Sequence, residues 1–498
     1  MTASDPNICD LLIIGGGING TAIARDAAGR GLSVVLCEKD DLARHTSSAS
    51  TKLIHGGLRY LEYYEFRLVR EALIEREVLL RSAPHIIWPM RFVLPYDVGQ
   101  RPAWMLRLGL FLYDNLGGRE LLPGTKTVDL RKTPHNSVLE KRLKTGFEYS
   151  DCWVEDARLV VLNAVDAHNR GADIQVGSEV TALAPHAAGY EATLRGGSTI
   201  IARGVVNAAG PWVDEVLFKI KKDKNEAGLR LIKGSHIVTK RLFPGDHAYM
   251  FQNADNRIIF AIPYERDFTL IGTTDVPWTA EPGPMEISAD EIDYLCAAAS
   301  EYFVNDISAD DVVWSYAGVR PLYDDKSENA SAVTRDYVLD IDELSSERPV
   351  LSIYGGKITT SRKLAEHAMQ KLEKYYGEAG APWTAQALLP GGDIPADDFK
   401  GFLTAQAKRY PDVPKDVLRH LCRAYGTRIT LVLGRGPDVD LGRYFGASLF
   451  EAEARYLRAH EWARSADDVL YRRTKLGLHL NDAERDAFTA WFDALAPL

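Results

Sequence analysis

Asp10-Leu11-Leu12-Ile13-Ile14-Gly15-Gly16-Gly17-Ile18-Asn19-Gly20 sets an apolar run directly against a glycine-rich turn. A stretch of small residues follows, Thr21-Ala22-Ile23-Ala24-Arg25-Asp26-Ala27-Ala28-Gly29, and a second apolar run, Leu32-Ser33-Val34-Val35-Leu36-Cys37, ends on Glu38. This order predicts strand, tight turn, helix, strand and terminal acid, the parts of a dinucleotide-binding βαβ unit. Gly15 permits the tight turn, Gly17 lets the backbone approach a pyrophosphate, and Gly20 lets the helix lie close on the strand. The helix N-terminus then offers free N–H groups and a positive dipole to phosphates. Glu38 can accept hydrogen bonds from ribose hydroxyls.

The unit alone leaves NAD and FAD open. Its position close to residue 1 is common where FAD is a permanent cofactor. The next segment, Arg44-His45-Thr46-Ser47-Ser48-Ala49-Ser50-Thr51-Lys52-Leu53-Ile54-His55-Gly56-Gly57-Leu58-Arg59-Tyr60, is crowded with hydroxyls and glycines. Hydroxyls and backbone amides suit a second pass over pyrophosphate and ribitol, and paired glycines suit close contact with a flat ring.

At 498 residues the chain is long enough for two or three domains with large cores. A net charge of −10 disfavours generic nucleic-acid binding. Cys9, Cys37, Cys152, Cys296 and Cys422 are far apart and form no CxxC pair. That argues against a disulfide scaffold or a metal site and fits a reducing cytoplasm. No basic apolar leader precedes the first strand, so neither a secretory nor a transit signal is expected. No apolar run approaches the length of a membrane span.

Further along, 61–82 reads as a long amphipathic helix. Pro84, Pro89 and Pro95 are expected to break regular structure after it. Residues 101–118 are apolar with basic ends. Ile174-Gln175-Val176 and Thr199-Ile200-Ile201 are strand candidates. Val205-Val206-Asn207-Ala208-Ala209-Gly210-Pro211-Trp212 reads as a buried strand running into a break that returns to the nucleotide. Residues 230–275 and 312–340 read mainly as strands of a mixed or antiparallel sheet. Leu351-Ser352-Ile353-Tyr354-Gly355-Gly356-Lys357-Ile358-Thr359-Thr360 is another strand, glycine turn and helix start, able to close over a cofactor. After the linker Pro390-Gly391-Gly392 the pattern is helical over 397–409, 413–426, 449–463, 466–476 and 482–495, with Asn481 and Glu484 placed as a capping box.

The run from Ser47 to Tyr60 resembles the FAD-dependent glycerol-3-phosphate dehydrogenases. So do Gly146-Phe147-Glu148-Tyr149-Ser150-Asp151-Cys152-Trp153, Lys233-Gly234-Ser235-His236-Ile237-Val238 and Ile271-Gly272-Thr273-Thr274-Asp275. Gly318-Val319-Arg320-Pro321-Leu322 and Gly355-Gly356-Lys357-Ile358-Thr359-Thr360 continue the match, which spans nearly the whole chain in order. The resemblance is closest to the bacterial aerobic, membrane-associated form. One departure is Ala209, where many members carry threonine; backbone contacts to flavin would survive it. No long insertion of the kind usual in the dioxygen-using glycerophosphate oxidases is present.

The resemblance implies an α/β (α+β overall) architecture: a glutathione-reductase-like Rossmann FAD domain, a β-rich substrate cap and a C-terminal helical domain. The expected boundaries are 1–80, 148–220 and 348–388 for a discontinuous FAD domain, 81–147 and 221–347 for the cap, and 389–498 for the helices. It also implies oxidation of sn-glycerol 3-phosphate to dihydroxyacetone phosphate, with hydride passing to non-covalent FAD and electrons to membrane quinone. The alternatives are a glycerophosphate oxidase, or another flavin-dependent amino-acid or hydroxy-acid oxidase or dehydrogenase. Expected cofactor contacts are Gly15, Gly17, Ile18, Asn19, Gly20, Glu38, Ser47, Ser48, Ser50, Lys52, Leu53, His55, Ala209, Gly210, Gly356, Lys357, Thr359 and Thr360.

A phosphate dianion bearing a secondary alcohol needs clustered cations and a base. Arg59, Arg320, Arg335 and Lys357 are the candidate cations, with Tyr60, Thr273 and Asp275 beside them as substrate contacts. His236 is the first candidate base and His55 the second. Arg59, Arg320, Lys357 and His236 therefore form the expected catalytic group. Arg101-Pro102-Ala103-Trp104-Met105-Leu106-Arg107-Leu108-Gly109-Leu110-Phe111-Leu112-Tyr113 combines cations, interfacial aromatics and apolar surface. Trp104, Leu108 and Leu112 lie one turn apart, so this helix is expected to dock on the cytoplasmic face of the inner membrane without crossing it. A homodimer is expected, and no nucleic-acid partner.

Overall fold

The computed structural model describes residues 8–97, 101–221, 229–255, 257–323, 336–343, 348–377, 379–395 and 398–496. Ile8–Ile14 sits at the centre of a largely parallel sheet. Its order is Val338–Glu343, Pro349–Tyr354, Thr199–Asn207, Ile8–Ile14, Val34–Glu38, Asp173–Val176. Within that row only Val338–Glu343 runs antiparallel to its neighbour. Val180–His186 and Gly189–Leu194 add an antiparallel arm to Thr199–Asn207.

Side chains alternate across a strand, so Leu11 and Ile13 enter one core and Leu12 and Ile14 the other. The first core lies under helices Ile18–Gly29, Asp156–Asn169 and Ser361–Leu372, through Ile23, Val161 and Leu364 among others. The second lies under the antiparallel arm, through Leu183 and Tyr190, and meets Val216 of helix Val213–Lys221. Burial on both faces is why the strand reads as an unbroken apolar run.

A second sheet is built around Leu229–Lys240. That strand pairs along its length with Val312–Tyr323 and on its other edge with Val276–Trp278 and Phe268–Gly272. The sheet continues through Ile258–Tyr264, Ala248–Gln252, Ile87–Tyr96 and Thr145–Val154 to Leu53–Ile54. Pro89 and Pro95 do not break regular structure as expected; both lie inside the ten-residue strand Ile87–Tyr96, paired with Cys152 and Gly146. The prolines are an even number of residues apart, so both missing N–H groups fall on the same edge. The partner on the far edge, Ala248–Gln252, reaches only Phe92 and Val93, so neither proline removes a ladder bond there.

The stretch 61–82 folds as a tight 3₁₀ segment, Leu58–Tyr63, followed by helix Phe66–Ser82. The apolar stretch after residue 101 is helix Ala103–Leu116. Leu110 and Tyr113 anchor it inward, while Trp104, Leu108 and Phe111 are 65%, 51% and 63% exposed. Leu112, expected on the outward face, is half-buried, and Phe111 takes that place at the i+7 position from Trp104. Among the described residues no helix is long and apolar enough to cross a membrane.

Beyond Pro390, helices Phe399–Arg409, Lys415–Tyr425, Glu451–His460 and Asp482–Asp493 enclose a separate core of Leu418, Leu421, Leu457 and Phe488. The Asn481–Glu484 capping box forms as expected. The stretch 466–476 carries one wide π-type turn, Asp468–Arg473, ended by Lys475 in the left-handed conformation at φ 61°. Buried ion pairs bind this unit to the parallel sheet. Arg158 donates to Glu461, and at 2.9 Å to the Ala424 carbonyl. Arg473 donates to both oxygens of Asp41 at 2.9 and 2.7 Å.

Candidate functional site: a dinucleotide groove that opens into a cationic cavity

Two connected depressions lie at the C-terminal edge of the parallel strands, where the crossover of an open α/β sheet leaves a crevice. The first is a long groove. Ile14, Gly15, Cys37, Glu38, Ala208 and Ala209 form its floor, each at or just beyond a strand end. Gly15 takes φ +113°, a conformation closed to side chains. Gly20 does not line the groove. A Cβ there would stand 2.0 Å from the Gly15 carbonyl oxygen, so it serves the close helix–strand contact expected of it. Helix Ile18–Gly29 points its N-terminus into the groove, and the Ile18 N–H donates to Ser47 Oγ at 3.0 Å.

Glu38 is buried at one end. Its carboxylate accepts from the Gly16 and Asp40 N–H groups at 2.6 and 2.8 Å. Burial nevertheless pushes its pKa up, with the two backbone bonds acting against that rise. At the other end Asn19 Nδ2 donates to the Gly355 carbonyl at 3.1 Å, while Asn19 Oδ1 is buried without a partner. Gly355 and Gly356, at φ +75° and +101°, bring the backbone over this end. An elongated groove with an acid at one end, a helix N-terminus midway and a glycine cradle at the other fits FAD.

The groove continues into a second cavity of about 300 Å³, shared through Ile18, Thr46, Ser47, Pro321 and Gly356. Arg59, Tyr60, Thr273, Asp275, Arg320 and Lys357 all line it, as do Ser50, Leu53, His55 and Thr359. These residues come from a loop, a tight helix, both edges of the second sheet and the Gly355 turn. Arg320 is held firmly: it pairs with Asp275, and its Nη2 donates to Thr273 Oγ1 at 2.7 Å and to the Thr274 carbonyl at 3.3 Å. Gly234 makes room for it, since a Cβ there would meet Arg320 Nη2 at 2.3 Å. Lys357 Nζ lies 3.8 Å from the centre of the Tyr60 ring, and Arg59 is 3.4 Å from the Tyr63 hydroxyl. Among the described residues of this wall Asp275, paired with Arg320, is the one carboxylate, beside the cations Arg59, Arg320 and Lys357.

Several expected residues lie elsewhere. His236 is 1% exposed, and its Nε2 is 3.0 Å from Thr51 Oγ1, so Thr51 and not the imidazole meets the cavity. Its ring stacks on Tyr316 at 4.8 Å. Burial first, then Arg320 and Lys52, holds its pKa well below the ordinary histidine value. Lys52 is also internal, with its ammonium 2.8 Å from Asp156 and 3.0 Å from the Ser48 carbonyl. Ser48 and Thr360 do not line either depression, whereas Ala209 and Gly210 line the groove. Arg335 lies outside the described residues. Thr46 and Thr51 were missed as individual contacts, although the density of hydroxyls in their segment was the available signal.

Residues 10–362 match the family described as FAD dependent oxidoreductase, and residues 382–498 match the C-terminal domain of alpha-glycerophosphate oxidase. The chain is 52% identical to D-erythritol 1-phosphate dehydrogenase of Brucella abortus, covering 98% of this chain and 99% of that one. It is 49% identical to the aerobic glycerol-3-phosphate dehydrogenase of Escherichia coli, covering 97% of each. The structure of glycerol-3-phosphate dehydrogenase from Bacillus halodurans, complexed with FAD, superposes with a TM-score of 0.72 at 27% identity, over 98% of this chain and 94% of that one. The protein belongs to the FAD-dependent oxidoreductases, with FAD as its cofactor and a C-terminal domain of the alpha-glycerophosphate oxidase type.

Proposed function

We propose that the protein oxidises sn-glycerol 3-phosphate to dihydroxyacetone phosphate and passes the electrons on to membrane quinone. The observation that carries this reading is the clustering of cations in the cavity: Arg59, Arg320 and Lys357, with Asp275, paired to Arg320, as the one carboxylate among the described lining residues. Such a wall suits a phosphate dianion, because Arg offers a planar fork to its oxygens and Lys a mobile point charge. FAD, when bound, supplies the hydride acceptor. The chain's own residues seat the phosphate, orient the C2–H and take up the O–H proton. His55 is the imidazole on the cavity wall and is assigned that proton directly; its backbone N–H donates to Thr359 Oγ1 at 3.3 Å. His236 can reach it only through Thr51.

A second reading, D-erythritol 1-phosphate as substrate, is favoured by the 52% identity to the Brucella enzyme. Both substrates present a phosphate and a neighbouring secondary alcohol. Anaerobic mixing of the purified flavoprotein with each, in parallel, decides between them. The preferred substrate bleaches the flavin band near ~450 nm faster at low concentration. Bleaching by glycine or 2-hydroxyglutarate, and by neither phosphate, would overturn the polyol phosphate reading. FAD is held without a covalent link, so acid precipitation is expected to release all the colour.

The same proposal includes three units with the boundaries 1–80, 148–220 and 348–388; 81–147 and 221–347; and 389–498. It includes a homodimer and peripheral docking on the cytoplasmic membrane face. The exposed Trp104, Leu108 and Phe111 surface, with Arg101 and Arg107 beside it, supports the docking.

A further inference from the structure

Glu291 lies outside both depressions, on the helix Ala289–Ser300 that packs beneath the second sheet. It occupies the third position of that helix and closes a capping box with Ser288. A capping glutamate of this kind ordinarily bonds the cap residue and faces water. This one is 7% exposed and does more. Its Oε2 accepts from Lys233 Nζ at 2.7 Å and from the Ser288 N–H and hydroxyl at 3.1 Å each. Its Oε1 accepts from the Ser235 and Thr274 hydroxyls at 2.7 Å each. These bonds, with Lys233 in contact, hold its pKa down at about 2 despite the opposing effect of burial.

The groups it gathers are those that shape the Arg320 cradle. Thr274 Oγ1 also accepts from the Ser235 N–H at 2.9 Å, so strand Leu229–Lys240 and the turn after Phe268–Gly272 are tied together at this carboxylate. Thr273, the Thr274 carbonyl and Asp275, the three partners of Arg320, are consecutive in that turn. Lys233 and Ser235 flank Gly234, the residue against which Arg320 lies. Lys233, Ser235 and Thr274 are themselves 6%, 0% and 1% exposed, so water cannot replace the bonds that Glu291 provides.

We propose that Glu291 is a positioning residue for phosphate recognition, fixing Arg320 through the Thr273–Asp275 turn without touching substrate. The proposal rests on the reading of Arg320 as a phosphate ligand. Glu291→Gln keeps an oxygen for two hydroxyls but turns an amide toward Lys233 and strands its charge. Thr274→Val removes the bridging hydroxyl at nearly constant volume and serves where the first variant fails to fold.

The test compares flavin-loaded wild type, Glu291→Gln, Thr274→Val and the double variant Lys233→Met/Glu291→Gln. Flavin reduction by glycerol 3-phosphate is measured, and binding of inorganic phosphate is followed by calorimetry. The expected result is a rise of about tenfold in KM and in the phosphate Kd, with kcat changed less than threefold and flavin content unchanged. Turnover of glycerol, which has no phosphate, is expected to match wild type. The double variant is expected to regain stability but not phosphate affinity, because only the stranded charge is relieved. Loss of thermal stability with wild-type KM and Kd in Glu291→Gln and Thr274→Val would overturn the proposal. A wild type that neither binds phosphate nor is reduced by either polyol phosphate would instead overturn the reading beneath it, and the proposal with it.

Discussion

The dinucleotide groove and the cationic cavity beyond it meet at Ile18 and Gly356, yet they are constructed by opposite means. The groove is made of backbone. Its recognition elements are strand ends, a helix N-terminus and glycines with positive φ, contributed by Ile8–Glu38, the end of Thr199–Asn207 and the Gly355 turn. The cavity is made of side chains. Arg59, Thr273, Arg320 and Lys357 are scattered over some three hundred residues of sequence; Arg320 is aimed by Thr273 and Asp275, and Lys357 lies over the Tyr60 ring, partners from distant segments. A backbone site therefore fails through steric intrusion, and a side-chain site through loss of a charge or of the group that aims it.

The largest effect should come from steric intrusion behind the groove, where helix Ile18–Gly29 lies against the Gly15 turn. Gly20→Val places a side chain where 2.0 Å separates a Cβ from the Gly15 carbonyl. Overpacking of this kind forces backbone shifts, and the purified variant is expected to carry little or no flavin. Normal flavin content, read from the ratio of visible to ultraviolet absorbance, would break the distinction drawn above. Arg320→Ala should do the reverse and leave flavin content near normal. Loss of a charge-assisted contact in a partly desolvated site costs about 2–5 kcal/mol, or roughly 30- to 5,000-fold in kcat/KM. Glycerol turnover should fall by a smaller factor, and equal proportional losses on both substrates would argue against a phosphate role.

The histidines sharpen the comparison further. His55→Asn should slow flavin reduction about 100-fold or more under single-turnover conditions if its imidazole takes the proton. His236→Asn should slow it less, since its contact with the cavity runs through Thr51. The opposite order would make the Thr51–His236 pair the proton acceptor. The mildest chemical effect belongs to a third region. Trp104→Asp together with Leu108→Asp should abolish sedimentation with lipid vesicles while leaving dye-coupled oxidation within about twofold of wild type. Full retention on vesicles by the folded variant would show that helix Ala103–Leu116 is not the docking surface.

The proline-containing strand shows where local reading stops. Pro89 and Pro95 signal a break by every local rule, yet Ile87–Tyr96 is continuous because its neighbour at Phe92–Val93 is too short to need their N–H groups. Edge status belongs to the sheet, and no window of sequence contains it. His236 repeats the lesson at the site. Its motif marked it, but strand register sets it opposite Gly272 and stacks it under Tyr316, away from the cavity.

The sequence by itself determined the dinucleotide unit, the apolar strand core and the C-terminal helices. Those features are written in contiguous patterns, because strand alternation, helix periodicity and glycine turns act over a few residues. Only the tertiary structure decided which of those residues share a wall, that Lys52 is neutralised inside by Asp156, and that Glu291 ties the Arg320 cradle to the strand beside it. Burial and counter-ion choice depend on what the fold brings opposite each group, and that pairing spans separations the local pattern cannot carry.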